Sequence, residues 1–171
     1  IIMKIKLDLI PVLLIILLST SCQTAKTVSD SKSMESRILY QQAVNSLDNQ
    51  KFVIKANELY PINKKSPVIT TPGSYISMNG QQAVISFTPE VFPGDSWKYL
   101  NIKDSASKMT VSKKTKNGDQ QYIIKVDGGE EWLRREVHIT LYNNTNKCYV
   151  QVKDRAGSNI INFKGEIYSG N

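Results

Sequence analysis

The stretch REVHITLYNNTNKCYVQVK, residues 135–153, alternates apolar and polar positions on either side of a polar loop. Folding it over Asn143 to Asn146 pairs Leu141 with Cys148, Ile139 with Val150 and Val137 with Val152. Apolar side chains then meet on one face, as a half-buried antiparallel sheet requires. The opposite face sets Glu136 against Lys153, unlike charges in register. Working outward toward the C-terminus, a turn over Asp154 to Asn159 pairs Val152 with Ile161 and Val150 with Phe163. Working back, Asn117-Gly118 is a strong two-residue turn signal, because both residue types tolerate positive φ. A hairpin tip there pairs Val111 with Ile124, Met109 with Val126 and Lys113 with Tyr122. Three hairpins that agree in parity predict an antiparallel meander.

The N-terminal half carries the same pattern more weakly. Asn79-Gly80 sets Ile76 beside Ala83, and Phe52, Ile54 and Ala56 alternate as a first strand. Two Pro-containing loops interrupt it, at Tyr60 to Pro67 and Thr88 to Trp97. From Met34 to Gln50 the period changes. Leu39, Tyr40, Ala43, Val44 and Leu47 share one stripe of a helix, with Ser33 as its N-cap. The expected fold is therefore α+β and mostly β. One N-terminal helix packs on a curved antiparallel meander sheet or half-barrel of about seven to nine strands.

Ahead of the helix, Lys4 and Lys6 precede an apolar run, Leu9 to Leu18, which ends at Ser19-Thr-Ser-Cys22. A positive start, a short apolar core and small residues make a secretory signal. Ten apolar residues rise only about 15 Å as a helix, too little for a hydrocarbon layer of about 30 Å. Residues 1–21 are thus expected to be a cleaved signal peptide, with Met3 as initiator. The small residues stopping at a Cys resemble the bacterial lipobox, which makes Cys22 the lipidation site and ties the chain to a membrane. Gln23 to Ser33, rich in Ser, Thr and Lys, is expected as a flexible tether across residues 22–33. Residues 34–171 then form a single domain. A chain of about 150 residues buries enough surface to need no disulfide. With Cys22 acylated, Cys148 is the only thiol left in the mature chain.

This order of elements resembles the Bacteroidetes lipoprotein family catalogued as domain of unknown function 4251. The resemblance rests on Phe52 with Leu59-Tyr60-Pro61, the Pro-containing loop from Pro89 to Trp97, and Ile102-Lys-Asp104 before a strand at Lys108. Val150-Gln-Val152 and Phe163-Lys-Gly-Glu-Ile167 complete it. It implies a cell-envelope lipoprotein with a mostly β domain after a short helix, and it implies no activity. Gln rather than Asp after Cys22, with no acidic run following, favours the periplasmic face of the outer membrane over the cell surface.

Catalytic chemistry finds little to work with. His138 is the only histidine, and the register puts it on the sheet face opposite Cys148, so the two form no nucleophilic pair. No Gly-x-Ser-x-Gly elbow and no zinc spacing of His and Cys occurs. Asp119, Asp127, Glu130 and Glu131 lie near turns and read as solvated acidic loops rather than a calcium site. No cofactor is expected.

Two groups of residues suggest contact surfaces. Lys98, Lys103, Lys108, Lys113, Lys114 and Lys116 crowd together and could meet an anionic surface, although a solvated face is the simpler reading. Trp132, His138, Tyr142 and Tyr149 fall on one sheet face, and with Phe92 and Trp97 could line a ligand or partner site. The pattern leans the other way, toward a face covered by the helix. Asp104-Ser105-Ala106 resembles the O-glycosylation sequence of Bacteroidetes envelopes, with Ser105 as acceptor. Nucleic acid is a poor partner for an exported chain without interleaved stacking aromatics. The expected function is a non-catalytic, monomeric envelope module for a protein or an amphipathic ligand. A glycan hydrolase using surface carboxylates is the runner-up, and a purely structural lipoprotein the third reading.

Overall fold

A computed structural model describes residues 23–61, 66–69, 73–88, 101–115 and 117–170. Helix α1 runs Gln23–Asp48. Strands β1 (Lys51–Pro61), β2 (Val68–Ile69), β3 (Tyr75–Asn79), β4 (Gln82–Ser86) and β5 (Ile102–Asp104) follow. Then come β6 (Lys108–Lys114), β7 (Gln120–Val126), a 3-10 turn at Glu131–Leu133, β8 (Arg135–Leu141), β9 (Lys147–Lys153) and β10 (Asn159–Ser169). The sheet order is β5-β4-β3-β1-β10-β9-β8-β7-β6, all antiparallel, with β2 pairing β1 off this path. Two meanders, β1 with β3 to β5 and β6 to β10, are thus joined by pairing the first strand with the last.

The connectivity forces curvature. β5 and β6 are the two outer strands of the path, yet only Ser105, Ala106 and Ser107 separate them in the chain. The four Cα steps from Asp104 to Lys108 reach at most about 14 Å. Eight flat strand spacings would need about 38 Å. The sheet therefore curls into a half-barrel. Its margins are fastened where the Ser107 amide donates to the Gln81 carbonyl (2.9 Å) and the Asp127 amide to the Asp104 carboxylate (3.0 Å). Burial opposes charge on Asp104, but hydrogen bonds from Ser107 and from the Asp127 and Ala106 amides outweigh it and hold its carboxyl below the usual range.

Strict alternation fills the interior. In β8, Arg135, Val137, Ile139 and Leu141 are buried, while Glu136, His138 and Thr140 between them are half-buried. Phe52, Ile54 and Leu59 of β1, Tyr122 and Ile124 of β7, and Ile161 and Phe163 of β10 join the same core. Phe87 meets Phe163 edge to face at 5.6 Å. Each such fully buried side chain stabilises by about 1.5–3 kcal/mol. From α1, Ala43 and Leu47 enter this core, with Tyr40 and Val44 packed against it. The sequence-derived stripe is the docking face. A polar clamp supports it: the Tyr122 hydroxyl lies 3.0 Å from the Asp48 carboxylate and 2.6 Å from Gln120, whose amide donates to Tyr40. The helix ends where Gln50 turns to φ 53° and its carbonyl accepts the Gly80 amide.

Several expectations need correction. The helix begins at Gln23, so the segment 23–33 expected as a tether is helical and Ser33 is an interior helix residue rather than its cap. That segment contains no Pro or Gly to stop a helix. The β8–β9 and β9–β10 registers are as derived. The β6–β7 register is two residues off: Val111 faces Tyr122 and Met109 faces Ile124. One step comes from the tip, where the Thr115 amide bonds the Asp119 carbonyl around a three-residue loop; the other is a bulge between Val111 and Lys113. The β3–β4 hairpin turns at Gly80-Gln81, so Ile76 faces Ile85 and Met78 faces Ala83. Two residues is the strand period, so Ile76 and Met109 keep their faces, but Val111, expected in the core, is 65% exposed on the outermost strand, and Lys113 beyond the bulge faces Gln121 rather than Tyr122.

Candidate functional site

The core face excludes one chemical role at once. Cys148 is fully buried, its thiol 3.6 Å from the Gly165 carbonyl, and burial pushes its ionisation far up. His138 sits on the other face, between Ile123 and Gln151 on the neighbouring strands and paired with Glu136. The two residues point to opposite sides, as the register predicted. Among the described residues no three His, Cys, Asp or Glu side chains gather as a metal site would require.

The helix packs on the Val137–Ile139–Cys148 side, so the leaning toward a covered aromatic face is overturned. Tyr142, Tyr149 and His138 belong to the outer surface and are half-buried among their neighbours there. Trp132 is not in the sheet: it lies in the 3-10 turn before β8 and is 55% exposed. Phe92, Trp97, Lys98, Lys116 and Cys22 fall outside the described residues. Lys113 and Lys114 are placed in β6 by their backbone. Lys103 is exposed on β5, and Ser105 is exposed in the turn between β5 and β6.

Along β1 and β10 the outer face is closed upon itself. Tyr60 donates to Glu58, and Lys164 lies 3.2 Å from the same carboxylate and 5.3 Å from the Tyr60 ring. The arrangement repeats: Tyr168 donates to Glu166, and Lys55 lies 5.0 Å over the Tyr168 ring. The Tyr60 hydrogen bond, followed by Lys164, holds the Glu58 carboxyl below its ordinary range.

The rim beyond β7 and β8 is different. A pocket of about 380 Å³ is lined by Lys108, Lys125, Arg134, Arg135 and Arg155, with Asp127, Glu136 and Asp154. Asp154 and Arg155 continue into a second depression that contains Glu131 and Trp132. Register positions the charges. Lys108 faces Lys125, Lys125 faces Glu136, and Glu136 faces Lys153. Arg135 is only 6% exposed; its Nη1 donates to the Trp132 and Arg134 carbonyls, both at 2.8 Å, and its burial lowers its affinity for a proton. Arg134 pairs with Asp127 at 2.6 Å, and Arg155 pairs with Glu131. Of the predicted lysines that lie among the described residues, Lys108 alone lines the pocket. The derived register set Lys108 against Asp127, which concealed its true opposite, Lys125.

A half-barrel of antiparallel strands with one helix on its filled face defines the class. A family profile described as Domain of unknown function (DUF4251) matches residues 35–167, and the chain belongs to that family. The resemblance drawn from Phe52, Leu59-Tyr60-Pro61 and the closing strands is borne out. The crystal structure of a DUF4251 family protein from Bacteroides eggerthii is similar, with a TM-score of 0.62 at 20% identity, covering 80% of this chain and 91% of that one. At that identity the likeness is one of fold. No curated protein matches the chain.

Proposed function

We propose that the protein is a non-catalytic interaction module of the bacterial cell envelope, anchored through acylated Cys22 at the periplasmic face of the outer membrane. Its binding surface is the rim of the half-barrel. One observation carries the choice of surface: the concave side is occupied by packed core and by Ala43 and Leu47 of α1, so an amphipathic ligand has no room there, whereas the basic rim pocket is open.

A glycan hydrolase stands second, because the rim does gather Asp127, Glu136 and Asp154. A glycosidase needs one of two facing carboxyls kept protonated. Here Asp127 is paired with Arg134 and Glu136 with His138, and Asp154 accepts the Ser158 amide within its own turn. Structural partners occupy all three.

Two experiments test the reading. Metabolic labelling with a clickable fatty acid should mark the protein, and Cys22→Ser should abolish the label. A photo-crosslinker in place of Arg155 should capture a defined envelope component in intact cells, and one in place of Lys55 should not. Digestion of the protein by protease added to intact cells would overturn the periplasmic placement. Release of reducing sugar from purified envelope glycan, lost on Asp127→Asn, would promote the hydrolase.

A further inference from the structure

We propose that the rim pocket binds a phosphorylated saccharide, with the phosphate held between Lys108 and Lys125 and the sugar ring laid on Trp132. This rests on the reading of the rim as the binding surface and names its ligand class.

The first observation is an electrostatic conflict. Lys108 and Lys125 stand directly opposite one another across β6 and β7, an arrangement that destabilises a sheet. Among the described residues neither lysine has an ion-pair partner. Glu136, the next residue in the row, faces Lys125 from β8 but is shared with His138 and with Lys153 on its other side, so Lys108 has only Lys125 opposite it. Elsewhere on the sheet, charges of opposite sign are placed in register, as with Glu58 facing Lys164 and Lys55 facing Glu166. The exception therefore coincides with the pocket.

The second observation is the local charge count. Five cations and three carboxylates line the pocket, and Asp127 is already neutralised by Arg134. Among the described residues Lys108, Lys125, Arg135 and Arg155 then stand against Glu136 and Asp154, so the excess is positive. Lysine is a point charge with three rotatable donors, suited to a tetrahedral anion approached from two sides. The buried Arg135 below adds field that water screens poorly.

The third observation sets the rest of the ligand. The pocket opens past Asp154 and Arg155 to Trp132, a large exposed apolar ring in a depression with a carboxylate beside it. A flat aromatic surface takes the C–H face of a pyranose, and the lone pairs of Glu131 and Asp154 not used by Arg155 and the Ser158 amide accept from sugar hydroxyls. A lipid surface would not enter a pocket of this size.

The test uses the full-length chain in neutral micelles, with isotope-labelled indole nitrogen and the Trp132 resonance assigned by Trp132→Phe. Glucose 1-phosphate should shift that resonance saturably in the millimolar range or below, which is ordinary for a small sugar ligand. Glucose should not shift it. Lys125→Gln and, separately, Lys108→Gln should weaken binding at least about fivefold, and Lys108→Gln should raise the melting temperature of the unliganded protein, since it removes the like-charge contact and leaves Lys125 facing Glu136. No saturable shift overturns the proposal. Equal affinity for inorganic phosphate overturns the saccharide half of it. Binding to phosphatidylglycerol vesicles without any response to glucose 1-phosphate replaces it with a membrane surface. Capture of a partner by the Arg155 crosslinker together with silence toward glucose 1-phosphate would sink this ligand while leaving the interaction module intact.

Discussion

The seam between β1 and β10 and the rim beyond β7 and β8 are built from the same residue types and arranged oppositely. On the seam, Glu58 faces Lys164, Lys55 faces Glu166, and a tyrosine hydroxyl binds each carboxylate. On the rim, Lys108 on the outermost strand faces only Lys125, and Glu136 meets that lysine from the other side. A sheet surface that serves only stability satisfies its charges across strands. One that leaves them facing is available to something else. The contrast separates scaffold from site without reference to any known activity.

The comparison can be broken or sharpened by substitution. The largest effect is expected at Gly165, which lies between Ala56 and Cys148 where the two meanders join. A Cβ there would stand 2.3 Å from the Lys55 carbonyl oxygen, so Gly165→Ala must push β1 and β10 apart. A loss of about 3 kcal/mol or more in urea unfolding is expected. An unaltered urea midpoint would mean that the seam is looser than its registers indicate.

Tyr122→Phe comes next, at about 1–2 kcal/mol, because it leaves the Asp48 carboxylate without its donor and loosens α1. It also changes the pH profile. Burial, then Asp48, raises the Tyr122 ionisation above the ordinary tyrosine range. The unfolded chain therefore gives up that proton first as pH rises. The stability it contributes is complete below pH 10 and falls above it, and Tyr122→Phe should flatten that alkaline limb.

Lys108→Gln should act in the opposite sense and raise stability by about 0.5 kcal/mol, as removal of a like-charge contact does. The matching change on the seam, Lys164→Gln, should lower the melting temperature by the smallest margin of the four, and salt should erase the difference because that pair is half-exposed. If both lysine changes moved stability in the same direction, the distinction between seam and rim would fail.

Much of this fold is legible in the amino-acid order. Alternation in residues 135–153 fixes β8 and β9, their register and the buried side of each. The helical stripe through Ala43 and Leu47 is equally plain. Bulges are not. The extra residue near Ser112 and the wider tip closed by Thr115 and Asp119 each add one step, so that residues before the bulge change partner by two. Hydrophobic pattern is blind to such a slip, because it records the period and not the count. The site suffered most, since Lys108 gained Lys125 as its partner through that slip. Aromatic content misled for a related reason. Tyr122 lies inside and Tyr149 outside, and a ring with a hydroxyl satisfies either position provided the oxygen finds a partner.

The pairing of β1 with β10 also bears on when this chain can finish folding. Each meander is local in sequence, and its hairpins can form as soon as they leave the ribosome or a translocation channel. The seam between them waits for the last strand to arrive, and until then β1 and β9 each present an unpaired edge. Long-range pairing of this kind is slow to form. Vectorial emergence thus keeps the domain open until almost its final residue is free, and a chaperone that shields strand edges would have its longest opportunity here.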